Sequence, residues 1–309
     1  MQNLTITDQL AYSTVRIECD FPDGKSGTGT GFFMHLCVDG DTAVPVIISN
    51  RHVVKGASVG RFVLTLKDGE GKPIVGRHKL FSLPNFGDSW IYHKDLDLAI
   101  MPIGPLLNAA AESNESFFYV PLEKNLIPSE AELQDMPSMQ EIVMVGYPNG
   151  LWDYVNNQPI FRKGITATHP ELNYNGKPEF LIDAACYNGS SGSPVFQVDI
   201  GKVTTRAQGT TIGPSKVRLL GILYAGPQHV ATGEIKVVEI GERKEVAVTG
   251  IPNNLGMVIR SRALLDFEAH VQFIMESGPF CSALTGYLGG PLFRSDSING
   301  VEPPLFPQS

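Results

Sequence analysis

The sequence is short of cysteine, of long apolar runs and of excess positive charge, and each shortage excludes a class of protein. Its four cysteines, Cys19, Cys37, Cys186 and Cys281, stand far apart with no CxxC pair. That spacing argues against a disulfide framework or zinc knuckle and predicts reduced, buried thiols. The histidines have no metal spacing such as HExxH, so neither a metal nor a cofactor is expected. No stretch approaches 18 apolar residues, and no basic start with an apolar run opens the chain, so neither a membrane span nor a leader is read. The 24 Lys and Arg against 32 Asp and Glu give a net charge of −8. No basic stripe exists to neutralise a phosphate backbone, which excludes nucleic acid as a partner. The expectation is a cytoplasmic protein that engages neither membrane nor nucleic acid.

Turn-forming residues are abundant, with 32 Gly and 22 Pro. Between them lie short β-type runs: STVRIEC (13–19), GTGFFMHLCV (29–38), AVPVIISN (43–50), RFVLTLKD (61–68) and DLAIMPI (97–103). This pattern predicts a β-sandwich or barrel over 1–103. Residues 104–140 are polar, rich in Pro and without alternation, and read as a connection with a short helical turn near 129–135. A second β block covers 141–260, with EIVMVGYP (141–148), FRKGITATH (161–169), FLIDAAC (180–186), SPVFQVD (193–199), RLLGILYAG (218–226), a charged pair over 235–250 and LGMVIRS (255–261). Asn175-Gly176 is a hairpin signal. A helix is expected over 261–277, capped by Ser261, with Leu264, Phe267, Val271 and Ile274 on one face and Gly278-Pro279 as its stop. Residues 278–309 read as a Pro/Gly-rich extended tail.

Three segments could carry chemistry. NGSSGSPVF (188–196) is a tight Gly/Ser turn. Such a turn can expose a serine hydroxyl and aim the N–H groups of Gly189 and Ser191 at a developing oxyanion; an ordinary surface loop has the same composition. His52, in IISNRHVVKGA (47–57), follows an apolar strand; its near-neutral pKa suits a general base, and a partner for local backbone is the plainer reading. Asp97 heads an apolar strand, a common place for aspartate, and Asp95 is its rival. Ser190 and Ser193 are rival nucleophiles to Ser191. GTGTG (27–31) is not a phosphate loop, because Gly24-Lys25-Ser26 lacks the upstream glycine, with Cys19 in its place. His93 reads as a surface residue.

The order His52, Asp97, Ser191, with the first two in one β block and the serine in the other, resembles the trypsin/chymotrypsin superfamily, most closely its HtrA-like (Deg-type) branch. SGTGTGFFM (26–34), SNRHVV (49–54), DLDLAIMPI (95–103) and LIDAACYNGSSGSPVF (181–196) carry the resemblance. VMVGYPNG (143–150), KGITATH (163–169) and LLGILYAG (219–226) extend it over roughly 10–260. The resemblance implies an all-β fold of two six-stranded antiparallel β-barrels with a C-terminal α-helix. It implies a serine endopeptidase in which Ser191 attacks, His52 serves as base and then acid, and Asp97 orients the imidazole. Gly189 and Ser191 would form the oxyanion hole. Ala185 would lie at the floor of the primary pocket, with Cys186, Tyr187, Asn188, Tyr224, Ala225 and Gly226 around it, and without an acid there the pocket would take small or medium uncharged side chains. A polypeptide substrate would add as an extended strand along 224–226.

Two departures matter. Ser193 stands where relatives carry glycine, and Ser190 stands where digestive-type relatives carry the aspartate that pairs with a freed N-terminus. Activation by N-terminal processing is therefore not expected, and loops, an oligomer or a regulatory partner protein would shape the site. The 32 residues after 277 are too few for the PDZ domain common in HtrA-like enzymes, which suggests a regulated effector. The rival reading is a catalytically silent peptidase-like module that binds peptides.

Overall fold

The computed structural model describes residues 4–276 except 41, 214, 227, 236–244 and 253. After a capped helix α1 (Ile6–Ala11), five strands follow: β1 (Thr14–Asp20), β2 (Ser26–Asp39), β3 (Thr42–Ser49), β4 (Val59–Lys67) and β5 (Pro73–Pro84). A single turn, α2 (Arg51–Val54), interrupts them after β3, and β6 (Ile91–Tyr92) and β7 (Ala99–Pro102) complete the first half. The sheet runs β5-β4-β1-β2-β3-β7-β6, and β8 (Phe117–Phe118) adds to β4. The ladder of this half is not closed among the described residues, so of the two barrels expected only the second closes fully. No ladder joins β5 to β6, because β5 ends at Pro84, β6 has two residues, and a 3₁₀ turn over Phe86–Ser89 lies between them.

The second half closes. Strands β9 (Glu141–Gly146), β10 (Ile160–Thr166), β11 (Glu179–Asp183), β12 (Pro194–Asp199), β15 (Lys216–Ala225) and β18 (Leu255–Arg260) form the barrel β10-β11-β18-β15-β12-β9. Two separate ladders project from it: β13 (Lys202–Thr205) with β14 (Gly209–Ile212), and β16 (Gln228–Ile235) with β17 (Glu245–Pro252). The charged pair expected over 235–250 falls on this second ladder, and its residues 236–244 lie outside the described residues, as do 278–309. Asn175-Gly176 forms a left-handed turn within the connection between the paired strands β10 and β11.

Between the halves the chain forms α3 (Gly104–Glu112), which the polar composition did not announce, and α4 (Glu130–Asp135), at the expected turn and closed by a Ser129/Glu132 capping box. The final helix starts as a 3₁₀ turn, Ser261–Leu265, and continues as α5 (Asp266–Glu276). Ser261 is buried inside that turn and makes no cap; the N-cap position is Arg260.

Strand alternation explains how the halves meet. On β2, Phe33 enters the first core while Phe32, Met34 and Leu36 face the second half. On β9, β12 and β18, Met144, Val195 and Val258 fill the closed barrel while Val145, Phe196 and Ile259 face back. Leu264, Phe267 and Val271 cover the same seam. The central strands are thus buried on both faces, which makes the seam a third core and holds the facing edges of the halves in fixed register.

Candidate active site

The seam brings the chemically capable residues together. Strand β3 leads into α2, whose Val53 and Val54 are buried and whose His52 side chain stays 49% exposed. Asn50 Nδ2 donates to the Asp97 carbonyl at 2.8 Å and Arg51 Nη2 to the Leu96 carbonyl at 2.6 Å, fixing the approach to β7 against α2. Asp97 then uses both carboxylate oxygens on one residue: Oδ1 accepts the His52 backbone N–H at 2.9 Å, and Oδ2 lies 2.5 Å from His52 Nδ1. With Nδ1 held by the carboxylate, Nε2 is the nitrogen left to exchange a proton. Asp95 stays exposed, and its backbone N–H donates to His93 Nδ1 at 3.1 Å. His93 is not the surface residue expected: its side chain is 9% exposed, with Nε2 3.1 Å from Asp266 Oδ2.

The serine turn separates its three candidates by burial. Ser190 and Ser193 are 1% and 0% exposed, whereas Ser191 is half-buried and lines an open cleft together with His52. The Ser191 hydroxyl donates to the Tyr224 carbonyl at 3.5 Å. The Ser193 hydroxyl is buried with no hydrogen-bond partner among the described residues.

Thr30, buried on β2, holds this turn from the first half. Its N–H donates to the Ser191 carbonyl at 2.8 Å, its hydroxyl donates to the Gly189 carbonyl at 3.0 Å, and that hydroxyl accepts the Tyr147 N–H at 3.1 Å. The Asn149 N–H donates to the Asn188 carbonyl at 2.5 Å. A trans peptide points its carbonyl and the following N–H in opposite directions, so this bond turns the Gly189 N–H away from Asn149. Among the described residues the N–H groups of Gly189 and Ser191 make no hydrogen bond, while those of Ser190, Gly192 and Ser193 do. Gly189 and Gly192 have φ of 82° and 89°; a Cβ at 192 would lie 1.9 Å from the Thr30 carbonyl oxygen. Thr30 and Asn149 escaped the sequence reading. The Gly-Thr alternation of 27–31 marks Thr30 as a buried polar side chain on a strand, but its partners lie far along the chain.

The cleft encloses about 910 Å³ and is lined by His52, Val53, Asn188, Gly189 and Ser191 and by a first-half wall that includes Glu18, Asp20 and Arg61. Ala185, Cys186, Tyr187, Tyr224, Ala225 and Gly226 are not among its lining residues. Cys186 is 7% exposed and packs in the barrel core. A Cβ at Gly226 would lie 3.5 Å from the Cys186 Cβ, so the two segments do face each other. Tyr187 is exposed beneath the Arg162 guanidinium, 4.8 Å from its ring. Cys19 also lines the cleft, but burial pushes its thiol up to about 12, which removes it as a nucleophile. Among the described residues no His, Cys, Asp and Glu group has the makings of a metal site.

The match of a family model, beside a mostly β fold with a cleft between its halves, gives the class: a trypsin-like serine endopeptidase. The profile of the trypsin-like peptidase domain family matches residues 29–204, more than half of the chain, and the chain belongs to that family. No curated protein sequence matches it. Similar solved structures include the Rv3671c protease from M. tuberculosis in its active form, at 16% identity over 85% of this chain and 82% of that one, TM-score 0.41. The HtrA-type protease AlgW with a tripeptide is 15% identical over 88% of this chain and 63% of that one, TM-score 0.47. A serine endoprotease from Yersinia pestis is 15% identical over 89% and 67%, TM-score 0.40. Among the described residues no helix is long and apolar enough to cross a membrane.

Proposed function

We propose that the chain hydrolyses peptide bonds through an acyl-enzyme formed on Ser191. His52 takes the hydroxyl proton and later returns it to the leaving amine. Asp97 orients the ring and stabilises its charged form, and the N–H groups of Gly189 and Ser191 receive the oxyanion. The observation that carries this reading is the pairing of a doubly held Asp97–His52 unit with the one half-exposed serine of the turn, in a shared cleft. The Ser191 hydroxyl donates to the Tyr224 carbonyl, and on this reading rotation about its χ1 turns it towards His52 across the shared cleft.

The acyl side of a polypeptide would pair with the backbone of 224–226, between Ala185, Tyr187 and Asn188 on one side and Gly226 on the other, and small or medium uncharged side chains fit a pocket without an acid. On this reading 1–103 supplies the base, 141–260 the nucleophile, 104–140 the connection between them, and 261–277 the helix that covers the seam. The free thiols of Cys19, Cys37 and Cys186 support a reducing compartment such as the cytoplasm, and an enzyme free in that compartment calls for control by a partner or an oligomer. The test is a cleavage profile on a peptide library. Wild-type protein should cut and Ser191→Ala should not; binding of library peptides with no cutting by the wild type would favour a silent peptide-binding module.

A further inference from the structure

The mechanism above leaves a buried carboxylate unused. Glu179, on β11, is 6% exposed on the face opposite the barrel-filling Phe180 and Ile182, and its Oε2 accepts the Tyr224 hydroxyl at 2.6 Å. Tyr224 sits where β15 breaks register against β18: Leu223 pairs with Val258 and Ala225 with Met257, which leaves Tyr224 as the extra residue of a bulge. A bulge disrupts the ladder and bends the strand, so side-chain contacts at the bulge can stand in for the lost ladder bonds. Here the ring is packed against the seam core, and its hydroxyl reaches past Met257 Sδ at 3.9 Å to the carboxylate. The same residue's carbonyl accepts the Ser191 hydroxyl. Burial, then the neighbouring carboxylate, raise the Tyr224 hydroxyl well above its ordinary pKa, so it stays protonated as the donor.

We propose that Glu179 is a positioning residue: by anchoring the Tyr224 hydroxyl it fixes the bulge that aims the 224–226 backbone at an extended substrate. The inference rests on the peptidase reading of the site. Among the described residues Glu179 makes no hydrogen bond to Ser191 or His52 and does not line the cleft, so its loss acts through Tyr224 on the added strand rather than on the His52–Asp97 pair itself. The effect should therefore grow with the number of substrate residues on the acyl side.

The experiment compares two probes, a four-residue alanine/valine p-nitroanilide and acetyl-valine p-nitrophenyl ester, on the whole protein. Glu179→Ala should lower kcat/KM for the four-residue substrate about tenfold, mostly through KM, and leave the ester rate within about twofold. Glu179→Gln keeps an acceptor for the tyrosine and should recover most of the loss. Tyr224→Phe, which removes the same hydrogen bond from its other side, should raise KM for the four-residue substrate as Glu179→Ala does, and it replaces that variant if the alanine does not fold. Equal losses on both probes, or none on the longer one, overturn the proposal. Hydrolysis of both probes undiminished in Ser191→Ala would instead refute the underlying reading, and is a separate outcome.

Discussion

The Gly189→Ala variant tests the oxyanion geometry with a single carbon. Gly189 has φ of 82°, and a Cβ there would lie 2.6 Å from the Tyr147 carbonyl oxygen and 3.1 Å from the Gly150 nitrogen. An L-residue in that left-handed region costs about 1–2 kcal/mol before any contact is counted. Both neighbours are backbone of the segment whose Asn149 N–H holds the Asn188 carbonyl. The cheapest relief is rotation of the 188–189 peptide, which breaks that bond and swings the Gly189 N–H out of line with its Ser191 counterpart. Loss of one oxyanion donor lowers kcat about 10²–10³-fold, or about 2.7–4 kcal/mol of transition-state stabilisation. KM should change little, because a ground-state carbonyl uses the hole weakly. Steady-state kinetics beside thermal unfolding separates the effects: kcat falls by two orders while Tm drops by only several degrees. A variant with kcat within threefold of wild type would refute the assignment of Gly189.

Three further perturbations follow from the same geometry. Ser193→Ala removes a buried hydroxyl that has no partner among the described residues; it should raise stability by up to about 1 kcal/mol in denaturant unfolding and keep full activity, whereas lost activity would restore Ser193 as a candidate nucleophile. Asp97→Asn keeps the shape of the carboxylate but not its charge, and should lower kcat about 10⁴-fold at neutral pH with the fold intact by circular dichroism. Glu132, on α4, is held at about 2 against an ordinary 4.5, chiefly by Lys216 at 2.6 Å, with the Ser129 backbone N–H adding to it against desolvation. A depressed carboxylate stabilises the fold above pH 4.5, and that contribution disappears as pH falls towards 2. Glu132→Gln should flatten this window of the acid unfolding curve by no more than about 1 kcal/mol, since the side chain is 36% exposed and solvent screens the pair; an unchanged curve would count against the pairing.

The strands that alternate or are buried on both faces were legible in the sequence to within a few residues; the His52, Asp97 and Ser191 segments stood out there because each joins an apolar strand to a turn whose residue types are chemically unusual. Strand β5 was not, since most of Pro73–Pro84 is exposed or half-buried at an edge and shows no apolar stripe. Helix α3 was hidden by its flanks, with Pro105 near its start and polar residues after Glu112. The open first sheet was invisible for a different reason: whether β5 meets β6 depends on the path of a short 3₁₀ turn, and no local pattern encodes it. Thr30, Asn149 and Glu179 hydrogen-bond to partners up to 159 residues away, and one sequence holds no trace of such pairings. Burial adds a difference that the motif does not carry: Ser191 is half-buried while Ser190 and Ser193 are enclosed.

The most direct measurement is reaction with a fluorophosphonate followed by peptide mapping of the adduct. The account predicts a single phosphonylated residue, Ser191, with labelling abolished in Ser191→Ala and strongly slowed in His52→Ala. An adduct on Ser190 or Ser193, or labelling that survives the Ser191 substitution, would contradict it.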